Sequence, residues 1–557
     1  MLNKKNSLLF FFFSALTAFA PALFSGCASN LNRSGNVYEV PDYSIEDIRN
    51  IEINDIKKIL ETKPVLALWR SYLIDDRELT ALCFERIAEL YKSAAQKKDH
   101  FTALRLYRSL DAAGYPEISS LNTSLSELES LCCEGVPGVQ TGAADRADNS
   151  DSGKGTPENV AQYISGTVTV WIDQGIKIER GVGYADRVIG SGFFIRKDGY
   201  IVTNYHVIKN VVDTKFEGVA RLYVRLADDP ETRVPAKVVG WDATLDLALL
   251  KTEVDAPYVF RLGSSSGLSV GDRIFAIGSP VGLDRTLTSG IVSAMNRKLF
   301  TTGSVFQIDA AVNGGNSGGP CIDVNGNVQA IVFAGLPQYQ GLNFAIPVEY
   351  LKTDLPMLFN GGKREHAWIG AYGHTFRNGT VSEGLEIQYV MSSGSAQRSY
   401  LKTGQIITAV NGKKVFDLDS VQDELRRFVP DTLARFSYTE DGSEKETLVY
   451  LDVRPEYPGK NAYERDLIET SFVPLFGMGL QAVSSLNSRK YAVTKIIKGG
   501  IADESGFSEN DPVDIGRIKF SDDNAFLSAE IYARKRKKGY LDIGVSITTP
   551  LDSPYYF

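Results

Sequence analysis

The sequence predicts a multidomain protein: a small N-terminal α-helical region, a long all-β region, and two smaller α+β domains behind it. Three observations carry this. The chain has 557 residues, too many for one ordinary core. Apolar residues recur at helical spacing between Ser44 and about Leu131, and at alternate positions from Thr167 onward. Between these regions, residues 134–157 are rich in Gly, Ser, Asp and Ala and poor in large apolar side chains, which marks a linker.

The first residues have a pattern of their own. Lys4 and Lys5 precede an apolar run from Leu8 to Phe24, as in a secretory signal. It ends in Leu23-Phe24-Ser25-Gly26-Cys27, which resembles the lipobox of bacterial lipoproteins, with Phe24 in place of the usual aliphatic residue. That resemblance implies a signal over 1–26, lipid on Cys27, a polar tether over 27–43, and a chain held to a membrane on the periplasmic face of the cell envelope. A plain secreted protein and an uncleaved anchor helix are the alternatives.

Within 44–133, Ser44 can cap a helix, with Asp47 three residues on. Leu79, Leu82, Cys83, Ile87, Leu90, Tyr91 and Ala94 then share one helical face, and Phe101, Leu104, Tyr107 and Leu110 another. The polar turn Gln96–Asp99 joins the two, resembling a single tetratricopeptide-type hairpin. One hairpin cannot bury its own face, so this reads as a packing module, with a binding module as the alternative.

Composition excludes some functions. The net charge of −8 offers no basic stripe for nucleic acid. The one dense basic run, Arg534–Lys538, reads as a solvated helix end. Five cysteines and four histidines show no metal-ligand spacing, no disulfide partner is identifiable, and no phosphate loop ends in Gly-Lys-Ser/Thr. Neither a metal nor a cofactor is expected.

The chemistry lies in the β-region, 158–358. Amide hydrolysis by serine needs a base for its proton and donors for the oxyanion. The run Asp309-Ala310-Ala311-Val312-Asn313-Gly314-Gly315-Asn316-Ser317-Gly318-Gly319-Pro320 supplies a serine among backbone N–H groups that glycine can turn inward. Gly318 and Gly319 are expected to leave room for a substrate carbonyl. Gly190-Ser191-Gly192 leads through a hairpin to His206, where a strand should meet a turn. Asp246 opens the apolar run Leu247–Leu250, a poor place for a charge without a partner. Asp242 competes with it, but precedes the strand and suits a turn.

The order His206, Asp246, Ser317, separated by 40 and 71 residues, is that of the chymotrypsin arrangement. With Gly271-Asp272-Arg273, Ala276–Gly282, Thr288–Ser293 and Asn343–Pro347, residues 160–350 resemble the HtrA family of trypsin-like serine proteases. The resemblance implies a chymotrypsin-like double barrel in which Ser317 attacks, His206 is the base and Asp246 orients it. It also implies an oxyanion hole from Gly315, Asn316 and Ser317, and a substrate pocket at Ala311, Val312 and Asn343 that prefers small or medium apolar side chains. Such proteases act on unfolded or partly unfolded proteins and commonly form homotrimers. A signalling protease for one membrane substrate, and a non-catalytic holdase or scaffold, are the rivals.

The last two regions, 363–456 and 468–550, resemble the PDZ domains that follow the protease in this family. In the first, Arg364–Ala371 looks like a carboxylate-binding loop, with Trp368, Ile369, Gly370 and Ala371 expected to hold peptide C-termini. Gly384–Ile387, Gly394–Ala396, Gly404–Ile407 and Val410–Gly412 follow in order, with Gln405 in place of the usual aspartate. In the second, Gly477–Leu480, Gly500–Asp503 and Asn510-Asp511 match; beyond Asp511 the pattern degenerates.

Overall fold

Ser44 caps the first helix, α1 (Ile45–Ile59), in a capping box with Asp47, as its position predicts. The computed structural model describes residues 44–137, 160–279, 285–299, 303–335, 342–483, 490–521, 525–537 and 539–557. The leader, Cys27, the tether and most of the 134–157 linker lie outside the described residues. No described helix is long and apolar enough to cross a membrane.

Helices α2 (Pro64–Leu73), α3 (Arg77–Gln96), α4 (His100–Ala113) and α5 (Leu125–Cys132) follow α1. Asp99 caps α4, and Gly114, in the left-handed region, ends it. The module buries its apolar face on the first PDZ-like sheet: Leu433 and Leu448 of that sheet belong to the same core as Leu68, Trp69 and Leu106. Trp69 Nε1 donates to Leu448 O at 3.0 Å, and Arg435 Nη2 to Ala112 O at 2.7 Å. The partner a lone hairpin needs is therefore the β-domain more than 300 residues downstream.

A short helix, α6 (Val160–Ser165), leads into two six-stranded barrels. The first joins β1 (Thr167–Glu179), β2 (Val182–Phe194), β3 (Tyr200–Thr203), β4 (Arg221–Arg225), β5 (Val234–Asp242) and β6 (Leu247–Thr252), with α7 (Tyr205–Val212) after β3. The β5–β6 pairing closes it. The second is a closed ring of β7 (Arg273–Gly278), β8 (Thr286–Arg297), β9 (Val305–Ile308), β10 (Pro320–Ile322), β11 (Val328–Gly335) and β12 (Asn343–Pro347). Phe193 and Leu247 of one barrel and Phe275 and Ile331 of the other share one buried cluster, so the barrels pack as a unit.

Helix α8 (Val348–Asn360) runs back over β5 and passes through β13 (Gly362–Lys363) to the first PDZ-like domain. Its sheet has the order β14 (Ala367–Trp368), β20 (Ser443–Val453), β19 (Thr432–Glu440), β17 (Ile406–Val410), β16 (Val381–Val390), β15 (Ala371–Asn378), with β18 (Lys413–Lys414) beside β17. The domain adds helices α9 (Ser395–Arg398) and α10 (Leu418–Arg426). Helices α11 (Pro458–Arg465) and α12 (Ile468–Phe476) open the last domain. Its sheet runs β21 (Met478–Ala482), β22 (Lys490–Ile496), β23 (Pro512–Phe520), β24 (Phe526–Lys537), β25 (Gly539–Pro550), with α13 (Ile501–Glu504) between β22 and β23. Past Asp511 the described residues form only strands and their connections, with no counterpart of α10. The basic run is corrected too: Arg534–Lys537 end strand β24 rather than a helix, and Arg534 pairs with Asp542 across the hairpin.

Candidate active site

His206 sits in the first turn of α7, not in the turn expected, so its own N–H has no partner within the helix. Asp246 supplies it. Oδ1 accepts the His206 backbone N–H at 2.7 Å, and Oδ2 lies 2.7 Å from His206 Nδ1. Asp246 is 5% exposed and left-handed, with φ +56°, a conformation aspartate tolerates better than most residues. Its carbonyl accepts from Asn204 Nδ2 at 2.8 Å and from the Tyr205 N–H at 3.2 Å. An ionised carboxylate only accepts, so Nδ1 carries the imidazole proton and Nε2 is left as a base. Burial pulls the His206 pKa down, but the hydrogen bond and charge of Asp246 carry it net upward.

Asp242, the competing acid, points elsewhere. It ends β5, wholly buried, and its Oδ1 accepts the N–H groups of Thr244 and Leu245 at 2.7 and 3.0 Å. It thus shapes the turn that presents Asp246. Its Oδ2 lies 2.7 Å from His366 Nε2.

The serine loop is held by the first barrel. Ser191 on β2 donates its N–H to Ser317 O at 2.8 Å and its hydroxyl to Gly315 O at 2.7 Å, while accepting the Ser279 N–H at 2.9 Å. With φ +104° at Gly315, this fixes the peptide planes around Ser317. Among the described residues the N–H groups of Gly315 and Ser317 have no partner. Asn316 is buried between them, its Oδ1 without a donor. Gly318 and Gly319 are where the loop packs closest on its neighbours. A Cβ on Gly318 would lie 2.3 Å from Ser191 O, and one on Gly319 2.1 Å from Ile277 O.

The Ser317 hydroxyl donates to Phe333 O at 3.2 Å, and among the described residues no hydrogen bond joins it to His206. The Phe333 ring stands edge-on to the imidazole, centroids 6.5 Å apart. Of the pocket residues, Ala311 is exposed and Val312 half-buried. Asn343 is buried and braces this segment from behind, its Nδ2 donating to Ala310 O at 2.8 Å.

Within the Arg364–Ala371 run, Trp368–Ala371 turns the chain from β14 into β15, with Gly370 left-handed at φ +83°. Arg364 and His366 belong instead to the junction with the protease domain. There Asp242, Asp354 and His366 bring ligand atoms within 4.8 Å of one another, close enough for a cation. The Arg364 guanidinium, 3.6 Å from Asp354, already supplies positive charge at this spot. Burial and the facing Asp242 carboxylate push the Asp354 carboxyl up to about 8, and burial and Arg364 push His366 down to about 3.

The sequence did not mark Ser191, Asn204, Phe333 or Asp354 for these positions. The first lies inside the Gly190–Gly192 run and the second two residues before His206, so adjacency was the available signal. Phe333 and Asp354 are joined to the site only by the fold.

Residues 190–331 match the trypsin-like peptidase domain, 459–551 the TP0546 family PDZ domain, and 47–132 a domain of unknown function. The chain is 35% identical over 282 residues to a probable periplasmic serine endoprotease DegP-like of Marinomonas sp. (strain MWYL1), covering 48% of this chain and 58% of that protein. It is 32% identical over 341 residues to the DegP-like protein of Brucella suis biovar 1 (strain 1330), covering 58% and 64%. These matches span less than two thirds of the relatives' own length. A solved HtrA-type protease, AlgW with decapeptide, is 25% identical with a TM-score of 0.44, covering 53% of this chain and 98% of that one.

Proposed function

We infer that this chain, a relative of HtrA-type serine proteases with a trypsin-like peptidase domain and a PDZ domain, is a serine endopeptidase of the cell envelope. The observation that carries the reading is the His206–Asp246 pair, doubly bonded at 2.7 Å and facing the loop of Ser317. Rotation of the Ser317 hydroxyl from Phe333 O toward His206 Nε2 gives the base its proton. Oγ attacks the scissile carbonyl, His206 passes the proton to the leaving amine, and Asp246 stabilises the imidazolium between. The unpaired N–H groups of Gly315 and Ser317 are the donors for the oxyanion, each worth roughly 2.7–4 kcal/mol in the transition state. Water then releases the acyl group by the same steps in reverse.

The substrates that fit are unfolded or partly unfolded proteins, whose extended backbone can lie in the open cleft, with small or medium apolar side chains at Ala311 and Val312. The first PDZ-type groove captures polypeptide C-termini at Trp368–Ala371. Cys27 carries lipid that holds the chain to the membrane, and the protease domains associate as a trimer. Casein digestion by wild type and Ser317→Ala tests the activity; serine-dependent hydrolysis by a folded Ser317→Ala protein contradicts it. Labelling with a palmitate analogue tests the anchor, and equal labelling of Cys27→Ser and wild type contradicts that part.

The hydrogen bond from Ser317 to Phe333 O favours a second reading within the same chemistry: a regulated protease whose serine is turned into line only on a signal.

A further inference from the structure

The edge strand of the first PDZ-type sheet, β15, is not bare. Residues 555–557 lie along it as an added antiparallel strand. The Ala371 N–H donates to Phe557 O at 3.0 Å, the Phe557 N–H to Ala371 O at 2.9 Å, and the Gly373 N–H to Tyr555 O at 3.1 Å, with Tyr372 opposite Tyr556. This is how a peptide adds to a PDZ sheet edge: backbone bonds to alternate residues, side chains in alternate pockets.

The side chains complete the fit. Phe557 is 3% exposed and joins the domain's own core beside Ile369, Leu418, Val421 and Leu425. The last three belong to α10, the helix that walls the groove. From the same helix Gln422 Nε2 donates to Pro554 O at 2.5 Å. Tyr555 stacks on His374, centroids 4.2 Å apart. Tyr556 faces the other way, 1% exposed, among Trp368, Met391 and Ile497. An apolar slot that buries a whole phenylalanine leaves no space for a second such residue.

We propose that the segment Pro554–Phe557 is a built-in ligand of the first PDZ-type groove, and that an incoming polypeptide with a bulky apolar C-terminal residue binds there only by displacing it. The proposal rests on reading this domain as a peptide site. Tethering gives the segment an effective concentration of about 1 mM, so even a segment with an intrinsic Kd of about 0.1 mM weakens an outside peptide roughly tenfold. Displacement is felt beyond the groove, because α10 also touches the protease domain. Asp419 pairs with Lys298, Ser304 Oγ donates to Asp419 Oδ1 at 3.3 Å, and the Arg426 guanidinium lies 4.3 Å over the Tyr350 ring.

Fluorescein-labelled Ser-Pro-Tyr-Tyr-Phe with a free carboxylate, read by anisotropy, tests this on the full chain. Phe557→Asp and the milder Phe557→Ala should each bind it at least tenfold more tightly than wild type, and Gly370→Arg should abolish binding in either background. Native-state hydrogen exchange adds a check independent of any peptide: the Ala371 and Gly373 amides should exchange faster in Phe557→Ala while β19 and β20 stay protected. Equal affinity of wild type and both Phe557 variants, with Gly370→Arg still abolishing binding, overturns the built-in ligand and leaves the peptide site standing. Absence of binding to every variant, with β19 and β20 protected, removes the peptide site and the inference with it.

Discussion

The cleft at Ser317 and the groove along β15 are both lined by backbone N–H groups, yet those groups are paired in one and not in the other. In the cleft, the N–H groups of Gly315 and Ser317 have no partner among the described residues, Asn316 Oδ1 is buried without a donor, and the serine hydroxyl points away from its base. In the groove, Ala371 and Gly373 are paired and Phe557 fills the pocket. On the proposed reading, the cleft keeps these donors for an oxyanion, and the groove exchanges its own segment for an incoming one.

That contrast should first be broken by removing the nucleophile. Ser317→Ala is expected to lower kcat by roughly a million-fold, since triad members act as a unit. Peptide affinity at the groove should not change, which anisotropy on the same preparation checks. Asp246→Asn should cost about 10⁴-fold, because the imidazole loses its tautomer and orientation. Here pH gives a second readout. His206 must be neutral to act as base, and Asp246 holds its pKa above the ordinary 6.5. The acid limb of kcat/KM therefore lies above 6.5 in wild type and moves down in Asp246→Asn.

A smaller effect joins the two regions. Saturating peptide should raise turnover of a small chromogenic substrate that cannot reach the groove. Tenfold activation requires only about 1.4 kcal/mol of differential peptide affinity between active and resting states. Unchanged turnover would reduce the groove to a tether. Phe557→Asp should show part of this activation without peptide.

The smallest effect tests the junction. Asp354 binds a proton in the folded chain that it lacks unfolded, its carboxyl moving from 3.8 to about 8. Fewer protons on the unfolded state mean stability falls as pH rises through this range. His366, pushed down from 6.5 to about 3, acts in the opposite sense, but only below 6.5. Between pH 6.5 and 8, wild type should lose stability on the order of 1 kcal/mol per pH unit relative to Asp354→Asn, measured by denaturant melts. Parallel pH profiles would show that Asp354 is ionised in the fold.

Much of this was legible in the sequence, and unevenly. The Ser44 cap, the Gln96–Asp99 turn and the two-residue period of the barrels are local signals, and they placed their elements. The His206–Asp246 pair was legible because each member sits in a distinctive run; the Ser317 loop was legible in the same way, although no hydrogen bond joins Ser317 to His206 among the described residues. What crosses domains was not. Nothing near Trp69 announces that its indole bonds Leu448 O, and Asp242 was legible as the turn residue it is but not as the partner of His366, 124 residues away. The strand in the groove was hidden for the same reason: Tyr555–Phe557 carry no motif, and only the fold sets them against Ala371. Beyond Asp511 the sequence lost the PDZ pattern where the structure has strands and no groove helix. A substitution in the first strand of that domain, Gly479→Arg, should leave anisotropy at the first groove unchanged.

The central claim, that Ser317 is a nucleophile activated by His206, is tested most directly by active-site labelling. Wild type and Phe557→Asp are treated with a fluorophosphonate, and the modified residue is found by peptide mass spectrometry. A single adduct on Ser317, abolished in His206→Ala and faster to form in Phe557→Asp, is the predicted result. Labelling of another serine, or equal labelling of Ser317 with and without His206, would contradict it.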